Sequence, residues 1–218
     1  MTIFFQKELE KIKKLILSLG AMVEERMRLA IRAIEDGDTK IAESIIKMDY
    51  EVDEKEVEVE EECLKILALY QPVAVDLRFL VAVIKINNDL ERIADEAVNI
   101  ARRVSSITGK QGGAFPFDYS RMSEIADDML KKSLDALVNL DVDLAFKVVT
   151  LDDAVDDLHQ TAYDLIRQEM RKTPDKAGPL INLYLISRHL ERIADHATNI
   201  AEEVIYLVEG EIVRHGNY

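Results

Sequence analysis

Apolar side chains recur at helical spacing along almost the whole chain. Between Leu9 and Ile34 they lie three or four residues apart, which places them on one face of a helix. This first pattern ends near Gly37, and Pro72 and a stretch rich in Gly and Pro at 108–118 interrupt the later patterns. The pattern predicts six long helices: one ending near Asp36, then Thr39 to Leu69, Val73 to Ile107, Tyr119 to Leu140, Asp143 to Arg171 and Gly178 to Val208.

The chain also contains an internal repeat. The string Leu-Glu-Arg-Ile-Ala-Asp at 90–95 returns 100 positions later at 190–195, and Asn99 returns as Asn199. Upstream, residues 48–53 match residues 151–156 at a spacing of 103. The spacing falls to 100 because the hairpin between this segment and the Leu-Glu-Arg-Ile-Ala-Asp string is three residues shorter in the second unit. A repeat near this length favours two similar units. We therefore predict an all-α fold of two tandem three-helix bundles related by internal duplication, with residues 1–107 and 119–218 as the units and 108–118 as the linker.

Composition and charge limit the partners and the location that this protein can have. Hydrophobic residues make up 48% and charged residues 32%, with no Trp, as is typical of a helical globular protein. The formal net charge of −14 repels nucleic acid and anionic lipid, so we expect no nucleic-acid partner and a membrane role only through partner proteins. No apolar run is long enough to span a membrane, no signal peptide is recognisable, and Cys63 is a lone thiol in an apolar helical pattern. These features predict a cytoplasmic protein with Cys63 in its core.

Four pairs of acids with i, i+4 spacing stand out as candidate chemistry. Residues with this spacing lie on one helix face, so each pair presents two carboxylates side by side. Two pairs fall in each unit, and the second unit repeats the first. They are Asp49 with Asp53, Glu91 with Asp95, Asp152 with Asp156, and Glu191 with Asp195.

The two pairs of one unit should meet at the same level of the bundle. Asp53 and Asp49 precede Leu69 by 16 and 20 residues, or ~24 and ~30 Å, and Glu91 and Asp95 follow Val73 by 18 and 22 residues, or ~27 and ~33 Å. Converging carboxylates repel one another unless a cation lies among them, and an all-oxygen ligand set suits magnesium, calcium, manganese or iron rather than a structural zinc ion. These eight acids are therefore predicted metal ligands, in one acidic site per unit.

Neighbouring polar residues bear on this prediction. Glu56 and Glu60 extend the acid stripe of the first unit, and His159 is the one histidine placed to join the second. Asn99 and Asn199, on the flank of the same face, could hold a ligand carboxylate or a bound water. His189 and His196 point away from Glu191 and are predicted to lie on the surface. A simpler interpretation is that the acids are solvated or paired with Arg92 and Arg192.

The motifs resemble those of the PhoU family of phosphate-uptake regulators. The resemblance rests on the duplicated three-helix units, the string Leu-Glu-Arg-Ile-Ala-Asp-His-Ala-Thr-Asn-Ile-Ala-Glu-Glu-Val at 190–204, and an acid-x-x-x-Asp motif on two helices of each unit. It covers essentially the whole chain. It implies a cytoplasmic homodimer that restrains the phosphate-starvation response through contacts with the ATPase subunit of the phosphate ABC transporter and with the sensor histidine kinase. It also implies metal ions, iron among them, at the eight acids.

Three other functions stay open at this point. The chain could be an accessory protein of a low-affinity phosphate transporter, or an acidic metal-binding scaffold without a signalling role. A di-iron carboxylate enzyme would need a Glu-x-x-His motif on each of two helices. The chain offers only Asp156-Asp157-Leu158-His159, once, and no Walker loop or nucleophile elbow. We therefore expect a non-enzymatic regulator.

Overall fold

The structure is a computed structural model that describes residues 3–108, 116–211 and 213. Within these residues it contains seven α-helices and a single 3₁₀ turn, and no strand. The helices are α1 Ile3–Asp36, α2 Thr39–Lys47, α3 Tyr50–Tyr70, α4 Ala74–Thr108, α5 Ser120–Asn139, α6 Val142–Lys172 and α7 Ala177–Glu209, with the 3₁₀ turn at Pro174–Lys176.

Most helix boundaries lie within two residues of those predicted, because the local signals that end the helices work as expected. Asp38 caps α2 by accepting hydrogen bonds from the backbone N–H groups of Lys40 (2.8 Å) and Ile41 (3.3 Å). Gln71 ends α3 in the left-handed conformation, with φ 47°, directly before Pro72. Asp141 caps α6 through the N–H of Leu144 (2.9 Å).

The predicted single helix from Thr39 to Leu69 is wrong, because it is broken at Met48–Asp49 into α2 and α3. Arg26 of α1 is only 4% exposed and reaches this break, where its Nη2 donates to the Met48 carbonyl oxygen (3.5 Å) and to a Glu51 carboxylate oxygen (2.5 Å). The repeat places Met129 at the position of Arg26, so the second unit has an apolar side chain where the first has a buried cation. There α6 runs without interruption from Val142 to Lys172.

The third helix of each unit lies at the centre of the molecule. Helix α4 packs on α1, α2 and α3, helix α7 packs on α5 and α6, and α4 and α7 pack antiparallel on each other through the most extensive helix pairing in the fold. The repeated apolar stripe is fully buried at Leu90, Ile93, Ala97 and Ile100 and at their counterparts 100 positions later. Each such Leu or Ile contributes about 1.5–3 kcal/mol to folding. The two bundles therefore share one middle layer.

Helices α1 and α5 form a second contact between the units. Gly20 of α1 is buried against Leu134 of α5, and a Cβ at Gly20 would lie 2.9 Å from a Leu134 methyl carbon. A glycine is used here for close helix approach.

The predicted core thiol is confirmed, since Cys63 is fully buried and burial raises its pKa to about 12. Of the two phenylalanines flanking Pro116, Phe117 is buried edge-on against Tyr119, whereas Phe115 lies outside the described residues. None of the described helices is both long enough and apolar enough to cross a bilayer.

Candidate metal centre: two acidic patches

The helical hairpins bring the two acid pairs of each unit together at one level. We call Asp49, Asp53, Glu91 and Asp95 the first acidic patch, on α3 and α4 and the break before α3. We call Asp152, Asp156, Glu191 and Asp195 the second acidic patch, on α6 and α7. Carboxylates of the two helices are close enough to raise one another's pKa, which is the register expected from counting residues back and forward from the turns.

In the first patch, partial burial is the largest cause of perturbed acidity. It raises the pKa values of Asp49, Glu91 and Asp95, and the negative charges of neighbouring patch members raise them further. Asp53 is exposed and contributes its charge to all three of these shifts. Arg92 partly offsets the repulsion, with its Nε 3.7 Å from a Glu91 oxygen.

The second patch is more strongly perturbed. Burial, followed by the charges of Asp195 and Asp156, raises the pKa of Asp152 to about 6. Burial, followed by the charge of Asp195, raises the pKa of Glu191 to about 7. Glu191 is 9% exposed, and its Oε2 is buried without a hydrogen-bond partner in the described part of the chain. This oxygen is an unused acceptor in the described structure, and an added cation that it coordinates would satisfy it.

The two patches differ in the groups that balance their charge. Arg188 contacts the Oε1 of Glu191, whereas the first unit has Asn88 at the equivalent position. Arg192, expected beside Glu191, pairs instead with Glu96, Nε to Oε1 2.7 Å. Each patch therefore has an arginine beside its glutamate, but the two arginines come from different positions of the repeat, one residue after Glu91 and three residues before Glu191.

A second difference lies one helical turn beyond each patch. In the first unit, the buried Asn87 amide donates to the backbone oxygen (2.9 Å) and a carboxylate oxygen (3.0 Å) of Glu56. The equivalent pair in the second unit is His159 and Ser187, whose Nδ1 and Oγ are 3.1 Å apart. Burial and the nearby Arg188 lower the pKa of His159, which keeps its ring neutral and suited to accept or ligate.

Several flanking residues do not take the places predicted for them. Asn99 donates to Glu96 (3.5 Å), and Asn199 donates to Asp89 (3.1 Å), so neither amide bonds a patch carboxylate. The prediction that His189 and His196 lie on the surface is wrong. They are 12% and 16% exposed and pack in the α4–α7 interface, paired with Glu96 and Asp89.

These interface pairs were missed because the sequence pattern of one unit does not show the helix supplied by the other. His189 Nδ1 lies 2.6 Å from a Glu96 oxygen, and His196 Nδ1 lies 2.9 Å from an Asp89 oxygen. The Arg188–Glu191 contact was also missed, although its i, i+3 spacing was visible in the sequence. Both acidic patches therefore adjoin a polar seam between the units.

The patch carboxylates are suitable ligands for a hard cation, but their side chains would have to rotate to surround one ion. All eight patch groups are carboxylates, the ligands that magnesium, manganese and iron accept. As the side chains lie, no three His, Cys, Asp or Glu residues within 3–108, 116–211 and 213 are close enough to hold one ion. A cleft of about 520 Å³ opens beside Asp152, Asp195, His196 and Glu202 and gives the second patch solvent access.

Comparison with known proteins agrees with the fold and the repeat. The family model of the PhoU domain matches twice, at residues 16–104 and 119–204. A phosphate-specific transport system accessory protein PhoU homolog of Pseudomonas aeruginosa is 38% identical over 97% of this chain and 88% of its own length. The crystal structure of PhoU from Pseudomonas aeruginosa has a TM-score of 0.91 at 37% identity, covering 95% of this chain and all of that one.

A solved structure with lower sequence identity has the same fold. The phosphate transport system regulatory protein PhoU from Streptococcus pneumoniae has a TM-score of 0.85 at 29% identity, covering 96% of this chain and 99% of that one. These relatives are named as accessory and regulatory proteins, not as enzymes, in agreement with the expectation from the sequence. The duplicated helical units, the central α4–α7 pairing and both domain matches establish that the chain belongs to the PhoU family.

Proposed function

We propose that this protein is a negative regulator of phosphate uptake and of the phosphate-starvation response. The observation that carries the proposal is family membership over both units, since relatives matching nearly the whole chain are named as accessory or regulatory proteins of phosphate transport. The protein acts by binding the ATPase subunit of the phosphate ABC transporter and the sensor histidine kinase. It works in the cytoplasm as a homodimer.

Metal at the acidic patches is the second part of the proposal. Eight carboxylates lie in two groups of four, and negative charges within each group raise the pKa values of other members, so a bound cation is favoured electrostatically. Asp49, Asp53, Glu91 and Asp95 would hold ions of iron, manganese or magnesium in the first patch, and Asp152, Asp156, Glu191 and Asp195 in the second. The ions would neutralise the patches and hold α3 against α4 and α6 against α7.

Elemental analysis of tag-free protein purified without chelator tests the metal. The test variant has all eight patch acids changed to Asn or Gln. The matched control neutralises eight exposed acids outside the patches, namely Glu25, Glu35, Glu43, Glu61, Glu124, Asp135, Asp175 and Glu209. We expect near-stoichiometric metal in the wild type and the control, and none in the patch variant. Equal metal in all three proteins, or none in the wild type even after titration, would contradict the metal sites.

Repression of a phosphate-starvation promoter tests the regulatory role. The chain is expressed in a bacterial strain that lacks its own PhoU protein, and a reporter is measured in phosphate-rich medium. We expect repression by the wild type and the charge-matched control. In parallel, the purified transporter ATPase and the cytoplasmic part of the histidine kinase are titrated with the protein. A reporter that stays fully active with soluble wild-type protein present would refute the regulatory role.

The alternative role at a low-affinity phosphate transporter predicts a different result. Phosphate uptake would then change in a strain whose phosphate ABC transporter and histidine kinase are both deleted. A pure scaffold predicts that the patch variant represses as well as the wild type does.

A further inference from the structure

An apolar groove lies at one end of the molecule, far along the bundles from the acidic patches. It is formed where the first half of α1, the start of α4, the end of α5 and the end of α7 meet, so both units line it. Its volume is about 490 Å³, and its walls are mainly Leu, Val, Ile and Phe side chains. Five of these remain well exposed: Leu17 38%, Val75 61%, Val138 55%, Leu140 53% and Val208 41%.

The groove contains an arginine whose guanidinium makes no hydrogen bond or ion pair within the described part of the chain. Arg78 lines it, and no hydrogen bond or ion pair between described residues engages its guanidinium. Its Nε is buried without a hydrogen-bond partner among those residues. The side chain lies over Gly210, where even a Cβ would collide with it. A half-buried guanidinium to which the described residues offer no acceptor is costly, and a carboxylate would satisfy it.

The groove does not share the strong negative charge of the whole chain. Lys13 on the rim is paired with Glu10 (2.7 Å), and Asp76 is the one acid beside Arg78 among the residues that line the groove in the described structure. The formal net charge of the chain is −14. A ligand attracted by the overall field would be cationic, whereas a ligand recognised by this groove would carry carboxylates.

The rim also holds a strained apolar residue. Leu140 follows α5 in the left-handed conformation, with φ 52°, and its side chain is 53% exposed. A leucine in this region costs roughly 1–2 kcal/mol relative to glycine or asparagine, the usual residues at such a helix end. Keeping an exposed leucine there works against the stability of the free protein, which is typical of a residue used in a contact.

We infer that this groove binds an amphipathic helix of a partner protein, with the apolar face of the helix against the Leu and Val walls and a carboxylate of the helix on Arg78. Recognition of a helix in a groove by apolar anchors at i, i+3, i+4 and i+7 is a common binding mode. The inference rests on the proposed function only in taking the protein to act through protein contacts. It places a partner surface across both units and away from the acidic patches.

The test uses synthetic helices and the full chain. A fluorescent peptide of about 18 residues, ~27 Å as a helix, has a Leu stripe at the anchor spacing and Glu on both flanks, and its twin has Lys in place of Glu. We expect saturable binding of the Glu peptide, about fivefold or more tighter than the Lys twin, in spite of the net negative charge. Arg78→Glu should reverse this preference, and Val138→Asp should abolish binding of both peptides.

Controls separate folding from binding. Arg121→Glu and Val57→Asp change an exposed arginine and an exposed valine elsewhere, and they should leave peptide affinity unchanged. Arg78→Gln keeps the shape of the side chain and should remove the preference between the two peptides. Thermal unfolding of each variant shows whether it is folded.

Three results would overturn the inference. The first is a Lys peptide that binds as tightly as the Glu peptide, or an absence of saturable binding of either. The second is sedimentation of the wild type, but not of Val138→Asp, with vesicles of phosphatidylcholine and phosphatidylserine, which assigns the groove to a membrane. The third is a dimer that Val138→Asp dissociates, which assigns it to a second copy. The reporter assay is independent, so failure of the regulatory role and failure of the groove are distinguishable.

Discussion

Changing Glu191 to Gln should flatten the pH dependence of stability in the metal-free protein. Burial and neighbouring charge raise the pKa of Glu191 from 4.5 to about 7 in the folded state. The unfolded chain returns the pKa to its ordinary value, so the folded state holds more protons between about pH 4.5 and pH 7. Stability therefore falls as pH rises through this window, and the loss is complete above the folded pKa.

The magnitude follows from the shift. At 1.36 kcal/mol per pKa unit, the full shift corresponds to roughly 3 kcal/mol, which sets the upper limit. The side chain is 12% exposed, so solvent screening is limited, but the charges of Asp152, Asp156 and Asp195 share the effect. We expect the wild type to lose about 1–3 kcal/mol more between pH 5 and pH 8 than Glu191→Gln does. The Gln side chain still offers Arg188 an oxygen to accept its hydrogen bond.

Urea unfolding at pH 5 and pH 8, with chelator present, measures this difference. Glu124→Gln is the control, because Glu124 is 68% exposed and outside both patches. Its pH dependence should equal that of the wild type. If Glu191→Gln shows the same loss as the wild type, the assigned burial and repulsion at the second patch are refuted.

Further predictions concern the framework that positions the patches. Asp38→Ala should lower the free energy of unfolding by about 1 kcal/mol through loss of the α2 cap, and Asp36→Ala should leave it nearly unchanged; denaturant titration of both checks this. Gly20→Leu should lower the unfolding temperature sharply by forcing α1 from α5, whereas Gly20→Ala should be close to neutral because about 1 kcal/mol of helix propensity offsets the close contact. Glu96→Ala should cost about 2–4 kcal/mol, since His189 and a neighbouring arginine lose their shared carboxylate, and urea unfolding would contradict this if the loss is under about 0.5 kcal/mol.

The parts of the fold that depend on local sequence could be predicted. Gly37, Pro72 and Pro174 end or separate helices by backbone restrictions that act within a few residues. The break at Met48 lies against Arg26, which is 22 residues away in the chain and meets Met48 only after α1 packs on α2 and α3. No pattern within 39–69 records that contact.

In the candidate site, too, the features that depend on local sequence could be predicted and those that depend on contacts between the units could not. Counting residues from the turns was sufficient to place Asp53 and Glu91 near one another, because a helix has a fixed rise per residue. The surface assignment of His189 failed because a helical wheel of α7 shows only which face meets its own bundle. The face of α7 that meets α4 is set by the packing of the two units on each other, which the apolar pattern of α7 alone does not show.

The divergence of the two repeats at this interface specifies which helices pair. The antiparallel α4–α7 contact places Asp89 against His196 and Glu96 against His189, and the repeat maps each pair onto the other. Two copies of α4 packed in the same way would place Asp89 against Glu96, and two carboxylates at hydrogen-bonding distance repel one another. Two copies of α7 would place two histidines together without a carboxylate beside either ring. Only the unlike pairing gives each histidine a carboxylate and each carboxylate a histidine, so the substitutions that separate the units favour their association within one chain over the pairing of identical units.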